Sequence, residues 1–98
     1  MMDGLNPVIH QPTRLHLMAA LVSLEQDERA DFVFLRDLLS LTDGNLSTHL
    51  LKLEEAGYIA VQKTFEGRRP KTWVRATDQG RDAFAAHVEA LERILHKH

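Results

Sequence analysis

The apolar residues of this chain recur mostly at helical spacing, and they predict five helical stretches with one β-hairpin before the last. A short turn is expected over residues 7–10. A helix is expected over about Pro12–Glu25, since proline is tolerated at the first helical position. This helix is apolar on much of its circumference, so it is expected to be buried on more than one side. A chain this short is not expected to cover so much apolar surface by itself. The apolar surface of this helix therefore predicts contact with a second chain through Leu17 and Leu21.

The middle of the chain predicts two helices with a short break between them. After a polar loop, Phe32–Phe34 forms a short strand or joins a helix over about Val33–Leu39. A break at residues 40–42 is followed by a longer helix, for which Thr42 is a good N-cap residue. That helix is expected to end at Ala56, because Gly57 suits the position just after a helix.

The faces of the longer helix differ in chemistry. At about 100° per residue, Leu46, Leu50 and Leu53 fall on one face, which is the expected core face. The opposite side collects Asn45, Ser47, Thr48, Leu51, Lys52 and Glu55. His49 falls on a flank, where it is expected to be half-buried.

Residues 58–76 predict a β-hairpin, because β-branched and aromatic residues alternate with polar ones on both sides of a turn-forming segment. The turn is expected over residues 66–70 and the second strand over Lys71–Ala76, with Trp73 packing within the hairpin. Thr77 is then an N-cap candidate for a helix that reaches about Leu95. Its apolar positions follow the spacing of a coiled-coil seam: Phe84, Val88, Leu91 and Leu95.

Composition narrows the class of protein. The 98 residues are 44% hydrophobic and suit one domain over residues 1–98. The absence of cysteine excludes disulfides, thiolate metal sites and cysteine catalysis. No apolar run approaches the roughly 20 residues needed to cross a bilayer, and no secretory signal is visible, so we expect a cytoplasmic protein with no membrane partner.

Charge is unevenly distributed along the chain. The formal net charge is −2, which by itself argues against nucleic acid. Residues 45–75, however, carry six basic and three acidic side chains, whereas residues 1–44 carry three basic and seven acidic ones. A polyanion responds to the local potential, so the basic window is the candidate surface.

The order of the predicted elements carries the functional interpretation. A short helix, a break and a longer helix over about residues 33–56 form a helix-turn-helix pattern, followed by a hairpin over about 58–76 with a basic tip and a helix over about 78–96. This order resembles the small winged-helix transcription regulators related to the MarR and ArsR groups. The matching stretches are NPVIHQPTRL at 6–15, LRDLL at 35–39, LTDGNLSTHL at 41–50, KLEEAGYI at 52–59, RPKTW at 69–73 and TDQGRDAF at 77–84.

The resemblance implies a mainly α-helical winged helix-turn-helix fold with a long C-terminal dimerisation helix. It implies a sequence-specific DNA-binding regulator, usually a homodimer, with Arg68, Arg69 and Lys71 in the family's basic wing. Many relatives have a separate sensor region, whereas here one terminal helix follows the hairpin. A small-molecule effector is therefore an open question, and the only candidate is a cleft between the terminal and first helices near His16 or His87.

The chemistry of DNA recognition favours the same residues independently. An α-helix fits the major groove, where short polar side chains meet base edges, as Asn45, Ser47, Thr48 and Lys52 are placed to do. Thr42 and the amides of the first helical turn suit a phosphate. In the hairpin, basic side chains suit the backbone and a narrow minor groove: Lys63, Arg68, Arg69 and Lys71.

The last helix predicts the assembly. Its seam of Phe84, Val88, Leu91 and Leu95 is expected to meet the first helix of a second copy across a two-fold axis. Two reading helices about 34 Å apart would then contact a near-palindromic operator, as expected for a homodimeric repressor.

Other classes of function receive less support. Glu54, Glu55 and Glu66 lie near the candidate DNA surface and keep open a winged helix that binds a protein instead of DNA. No glycine-rich phosphate loop, nucleophile elbow or carboxylate pair is visible, so neither an enzyme nor a cofactor is expected. The histidines lack the spacing of a metal site.

Overall fold

A computed structural model describes residues 4–96. This part of the chain contains, in order, α1 (Pro12–Val22), β1 (Ala30–Asp31), α2 (Phe32–Leu38), α3 (Asp43–Glu55), β2 (Ile59–Glu66), β3 (Arg69–Ala76) and α4 (Asp78–Leu95). The expectation of a mainly α-helical fold with a small hairpin and a long last helix is confirmed. Among the described helices, none has an apolar stretch long enough to cross a membrane.

The helices begin where short polar side chains accept hydrogen bonds from free backbone amides. Thr42 Oγ1 accepts from Asn45 N at 3.1 Å, and Thr77 Oγ1 accepts from Gly80 N at 3.0 Å. Such caps each stabilise a helix by about 0.5–2 kcal/mol. At the end of α3, Gly57 has a φ of +82°, which a residue without a Cβ adopts at little cost. The predicted N-caps and the glycine after α3 are therefore confirmed.

Helix α1 ends three residues earlier than predicted. Its C-cap is Ser23, and a side chain from α4 occupies the space beyond it. The guanidinium of Arg81 donates to the carbonyls of Val22, Leu24 and Glu25 at 3.1, 3.0 and 3.2 Å. Arg81 therefore satisfies carbonyls at and just beyond the end of α1 and ties this end to α4.

The sheet has the strand order β1-β3-β2, and both pairs are antiparallel. Glu66 pairs with Arg69, so the hairpin turns through Gly67 and Arg68 alone. Gly67 has a φ of +63°, as the first position of a type II′ turn requires. The second strand consequently begins at Arg69, two residues before the predicted position.

The alternative of a strand over Phe32–Phe34 is wrong. The strand that pairs with β3 is Ala30–Asp31, and the next residue already begins α2. The side chain of Asp31 accepts a hydrogen bond from Val33 N at 3.1 Å. This cap selects the helix over a longer strand.

The core lies where α1 crosses α3, β3 and α4, and its largest fully buried side chains are Ile9, Leu17, Met18, Leu21, Leu35, Leu46, Leu53, Val74 and His87. Leu17 and Leu21 are 0% exposed within a single chain. The prediction that these two residues contact a second chain is therefore wrong. The apolar circumference of α1 is covered by the other elements of its own chain.

The segment before α1 is fastened to α4 through Asn6. Its backbone amide donates to His87 Nδ1 at 2.9 Å, and its side-chain amide donates to the Tyr58 hydroxyl at 2.8 Å. The His87 ring is fully buried, and its Nε2 has no hydrogen-bond partner among residues 4–96. Burial, together with the nearby His10 ring, lowers the pKa of His87.

The beginning of α4 packs directly on the residue that follows α3. A Cβ on Gly80 would lie 2.0 Å from the carbonyl oxygen of Tyr58. On the opposite side of this contact, Thr77 N donates to the same oxygen at 3.0 Å, and Thr77 Oγ1 donates to the Gly57 carbonyl. Only glycine at position 80 permits this approach.

We predict that Gly80→Ala destabilises the protein by at least about 1–3 kcal/mol, because the methyl group must displace backbone. The matched control is Gly44→Ala, since a Cβ there meets nothing within 4 Å. That change in α3 is expected to stabilise by about 0.5–1 kcal/mol. Urea unfolding of both variants measures the difference, and equal stabilities would contradict the close packing.

We predict that stability falls as the pH is lowered from about 8 to about 5. Burial, followed by the nearby His10, lowers the pKa of His87 in the folded protein, and the neutral ring accepts the Asn6 amide at Nδ1. Below the ordinary pKa of about 6.5, the unfolded chain binds a proton that the native chain refuses. Urea unfolding at several pH values measures this slope.

His87→Gln is expected to reduce that slope. His49→Gln is the comparison variant. Burial and Arg14 lower the pKa of His49 as well, so this variant measures how much the second shifted histidine adds to the same slope. A slope that is unchanged in the His87 variant would show that protonation of this ring does not oppose folding.

Candidate nucleic-acid interface

Helix α3 presents a polar surface to solvent. Leu46, Leu50 and Leu53 are buried, which fixes the rotation of the helix. The predicted base-contacting residues Asn45, Ser47, Thr48 and Lys52 are all exposed, as is Thr42. The helix therefore has its donors and acceptors on one accessible side.

Two of these hydroxyl groups already take part in hydrogen bonds within the chain. Thr48 Oγ1 donates to the Gly44 carbonyl at 2.9 Å, which leaves its lone pairs available to accept. Thr42 Oγ1 accepts the Asn45 amide as the helix cap. The threonine at position 48 can thus accept a hydrogen bond from a base, and the one at position 42 is primarily structural.

An acidic side chain at the start of α3 is paired with an arginine of α2, which it shares with a second carboxylate. Arg36 Nη1 donates to Asp43 Oδ1 at 2.9 Å, and Arg36 Nε donates to Asp37 Oδ1 at 3.0 Å. These hydrogen bonds raise the pKa of Arg36. The pairing offsets the negative charge of Asp43 where a DNA backbone would approach.

One face of the hairpin lies toward α3, and the other face lies away from it. Because side chains alternate along a strand, the face toward α3, which we name the inner face, carries Val61, Lys63, Phe65 and Thr72. A groove of about 520 Å³ separates it from α3 and is also lined by Ser47, Leu51 and Glu54. Of the predicted wing cations, Lys63 is the one that lies beside α3.

The opposite face, which we name the outer face, carries Gln62, Thr64 and Glu66 of β2 and Arg69, Lys71, Trp73 and Arg75 of β3. Two predicted wing residues, Arg69 and Lys71, therefore lie on the face turned away from α3. The structure does not gather the basic side chains on a single side, because the two-residue turn fixes a register that the sequence analysis did not predict.

Lys71 is engaged within the chain. Its Nζ lies 3.0 Å from a Glu66 oxygen and 3.7 Å from an Asp31 oxygen. The hydrogen bond to Glu66 raises its pKa. With both carboxylates close, Lys71 is less available to a phosphate than Lys63.

The tip of the hairpin combines charge with an apolar ring. Arg68 lies in the turn, and Arg69 and Pro70 are exposed beside it. Phe65 pairs with Pro70 and is 73% exposed, so its ring stands in solvent. Phe65 was not among the residues predicted to contact DNA, and its exposure makes it a further candidate. An aromatic residue inside the basic segment was the available signal, since apolar side chains at wing tips can insert between base steps.

Trp73 packs within the hairpin as predicted. Its Nε1 donates to Thr64 Oγ1 at 2.9 Å, and its ring lies beneath two cations. The Arg29 guanidinium carbon is 4.3 Å and Lys71 Nζ is 4.7 Å from the ring centroid. His49, which is half-buried as expected, lies 3.3 Å from Arg14 Nη1.

The predicted dimer seam lies along α4. Phe84, Val88 and Leu91 are partly exposed, and Leu95 is 72% exposed. Beside it, a cavity of about 720 Å³ opens between the N-terminal segment, α1 and α4, and is lined by Leu5, Pro7, His10, Gln11, Pro12, Leu15, His16 and Leu91. His16 lines this cavity, and His87 does not.

Residues 4–96 contain no cluster of three side chains placed to hold a metal ion, and His98 lies outside the described residues.

The model of the winged helix DNA-binding domain matches residues 13–95. The chain belongs to this family, and its function is that of a DNA-binding transcriptional regulator. The resemblance to regulators of the MarR and ArsR groups is confirmed as well. The solved structures that it resembles include a transcriptional regulator homologue and a possible transcriptional regulator for arsenical resistance.

The chain is 38% identical over 81 residues to the uncharacterized protein MJ0432 of Methanocaldococcus jannaschii, covering 83% of this chain and 85% of that protein. It is similar to a transcriptional regulator homologue from Pyrococcus horikoshii OT3, with a TM-score of 0.81, 30% identity and coverage of 90% and 84% of the two chains. It also shares its fold with MepR of S. aureus in a DNA complex, with a TM-score of 0.73, 17% identity and coverage of 92% and 74%.

We predict that Lys63→Gln weakens DNA binding and reduces the slope of log K against log salt by about 1, because one phosphate contact is lost. Lys71→Gln is the matched control. It removes the same charge from the other face, where that charge is paired, so the slope is expected to stay unchanged. Titration of a generic duplex at several salt concentrations measures both. A larger slope change for Lys71 would contradict the assignment of the inner face.

Proposed function

We propose that the protein is a homodimeric repressor that reads a near-palindromic operator, with α3 in the major groove and the hairpin as its wing. The observation that carries the proposal is the polar, exposed side of α3, whose rotation is fixed by three buried leucines. Asn45 suits adenine, and Thr48 suits a base edge or a thymine methyl group. We further propose that the protein meets its DNA in the cytoplasm.

Dimerisation through α4 follows from its uncovered seam. Leu95 exposes 72% of its surface, and Phe84, Val88 and Leu91 continue the same stripe at coiled-coil spacing. With Leu17 and Leu21 buried within the chain, α1 contributes only its partly exposed residues, such as Leu15 beside the seam. Two copies related by a two-fold axis would place two α3 helices about one DNA turn apart.

Repression needs only that the operator be occupied, so a DNA-binding module that blocks access to a promoter suffices.

A small-molecule effector fits the cavity beside the seam. Its volume of about 720 Å³ lies within the roughly 300–1,000 Å³ of small-molecule sites. The lining is largely apolar with the imidazoles of His10 and His16, which suits a mostly apolar ligand with one or two polar groups. Since Leu91 belongs to both the cavity and the seam, such a ligand would alter the angle between the two copies.

Selection of bound sequences from a random DNA pool tests the proposal. The expected result is two inverted half-sites with centres about 10 base pairs, or a multiple of that, apart. No preference over random DNA at about 0.1 M salt would reject it. A single stoichiometric protein partner together with that result would identify the alternative, a winged helix that binds protein.

We predict that Leu91→Glu converts the dimer to a monomer and reduces the selected sequence to one half-site, because it places a charge in the apolar seam. Leu38→Glu is the matched control, since Leu38 is 52% exposed on α2, away from the seam. Sedimentation and repetition of the selection measure both variants. A Leu91 variant that remains dimeric would assign the interface to another surface.

A further inference from the structure

The tip of the hairpin carries an apolar pair that faces solvent. Phe65 and Pro70 are cross-strand partners, so both side chains lie on the inner face, and neither lines the groove beside α3. Phe65 is 73% exposed, which is the largest exposed fraction among the large apolar side chains of residues 4–96. Pro70 is exposed as well. The register therefore places an aromatic ring and a rigid pyrrolidine side by side at the end of the hairpin.

The length of β2 brings Phe65 level with the first turn of α3. The strand leaves the C-terminal end of α3 and runs back along it, since Val61 and Lys63 line the groove together with helix residues from Asp43 to Glu54. Phe65 is the seventh residue of the strand, so at about 3.4 Å per residue it lies about 20 Å from the strand's start. Helix α3 has 13 residues and is also about 20 Å long. The N-terminal residues of a reading helix contact base edges, so Phe65 lies at the end of α3 that meets DNA.

The groove opposite the ring is then the minor groove. A helix with its side chains is about 10–12 Å across and fills a major groove that is about 12 Å wide. A ribbon that lies beside this helix therefore crosses the sugar–phosphate backbone and faces the adjacent minor groove. Phenylalanine and proline are among the apolar side chains that proteins insert between base steps from this groove.

The charges around the ring select DNA rather than an apolar protein surface. Arg68 and Arg69 are exposed beside it and form no ion pair among the described residues, whereas Glu66 is paired with Lys71. An apolar pair flanked by these two arginines suits a base step between phosphates. A stable protein interface needs about 800 Å² from each partner, whereas one phenylalanine offers no more than about 150–250 Å².

We propose that Phe65, backed by Pro70, inserts between two base pairs in the minor groove beside the segment read by α3 and kinks the duplex there. Pyrimidine–purine steps unstack most easily, so the ring selects such steps in the flank without a hydrogen bond to any base. The inference rests on the proposed function, with α3 in the major groove, and adds a preference at positions that α3 does not contact. It does not depend on dimerisation.

The adenine analogue 2-aminopurine, whose fluorescence rises when it unstacks, tests the insertion directly. Duplexes with the selected site carry it at one flanking position at a time. The wild type is expected to brighten the step about 5 base pairs, or half a turn, from the centre of the segment read by α3. Phe65→Leu keeps an apolar wedge and is expected to brighten the same step, whereas Phe65→Ala is expected to leave it dark. Phe34→Ala removes a ring that is 56% exposed on α2, and this matched control is expected to behave as the wild type.

Two further readouts separate insertion from a phosphate contact. Energy transfer between dyes on the two ends of the duplex is expected to report a bend that is at least about 20° larger for the wild type than for Phe65→Ala. Phe65→Ala is expected to weaken binding about 5-fold or more with an unchanged slope of log K against log salt, since no phosphate contact is lost. Lys63→Gln lowers that slope and is expected to keep the bend.

Selection from a random DNA pool separates this proposal from the proposed function. The wild type is expected to enrich TA or CA/TG steps at the flanking position, and Phe65→Ala is expected to lose this preference while it enriches the same segment read by α3. A flank that is identical for both proteins, with that segment still enriched, would overturn the present proposal alone. Absence of any enriched segment would reject the proposed function and this proposal with it.

Three other results would also overturn the proposal. No brightening at any flanking position with the wild type bound would show that the ring stays outside the base stack. Brightening that persists in Phe65→Ala would assign the unstacking to another side chain. A lower mass of Phe65→Ala in sedimentation without DNA would assign the ring to a contact between copies of the chain. Thermal unfolding checks that each variant is folded, as expected for changes at exposed side chains.

Discussion

The joint between Tyr58 and the start of α4 holds together the three parts on which function depends. The Tyr58 carbonyl accepts the Thr77 amide at 3.0 Å and lies against the bare Cα of Gly80. Gly57, one residue earlier, closes α3, and its carbonyl accepts the Thr77 hydroxyl. Helix α3 ends at this joint, and the hairpin and α4 begin there. Their mutual orientation is therefore set by backbone contacts that a larger side chain would break.

The N-terminal segment adds a second fastening to the same joint. Asn6 donates to the Tyr58 hydroxyl with its side chain and to His87 with its backbone amide. Because a protonated imidazole donates from both nitrogens, this link requires a neutral His87. The cavity beside the seam is bounded by the same N-terminal segment, through Leu5 and His10. A ligand in that cavity would therefore contact the segment that fastens α4 to the rest of the chain.

Local chemistry in the sequence was sufficient to predict most elements. Thr42, Gly57 and Thr77 act through hydrogen bonds and backbone dihedral angles that involve nearby residues in the sequence. Their roles can therefore be predicted without knowledge of the fold. The burial of Leu17 and Leu21 was assigned to the wrong partner because it depends on residues that are distant in the sequence. Their partners come from α3, β3 and α4, and sequence periodicity shows that a helix is covered but not which chain covers it. The excess apolar surface of α1 was therefore assigned to a partner.

The sequence did not predict which side chains lie on each face of the hairpin, because the strand register depends on a single turn. A turn over residues 66–70 leaves the pairing undefined, and a shift of one residue moves every side chain to the other face. The positive φ of Gly67 selects a two-residue turn, which pairs Glu66 with Arg69. The resulting register places Lys63 beside α3 and places Arg69, Lys71 and Arg75 on the outer face.

This division reconciles a net charge of −2 with DNA binding. On the side of α3, Asp43 is paired with Arg36, which also binds Asp37, and Lys63 faces the groove. Few cations therefore meet the segment that is read, so the short polar groups of α3 decide which sequence is preferred. The arginines of the outer face lie on the opposite side of the hairpin from this groove and have no ion pair among the described residues. The short polar side chains of α3 are therefore on a different surface from most of the basic side chains of the hairpin, which is the separation expected where base contacts specify and phosphate contacts position.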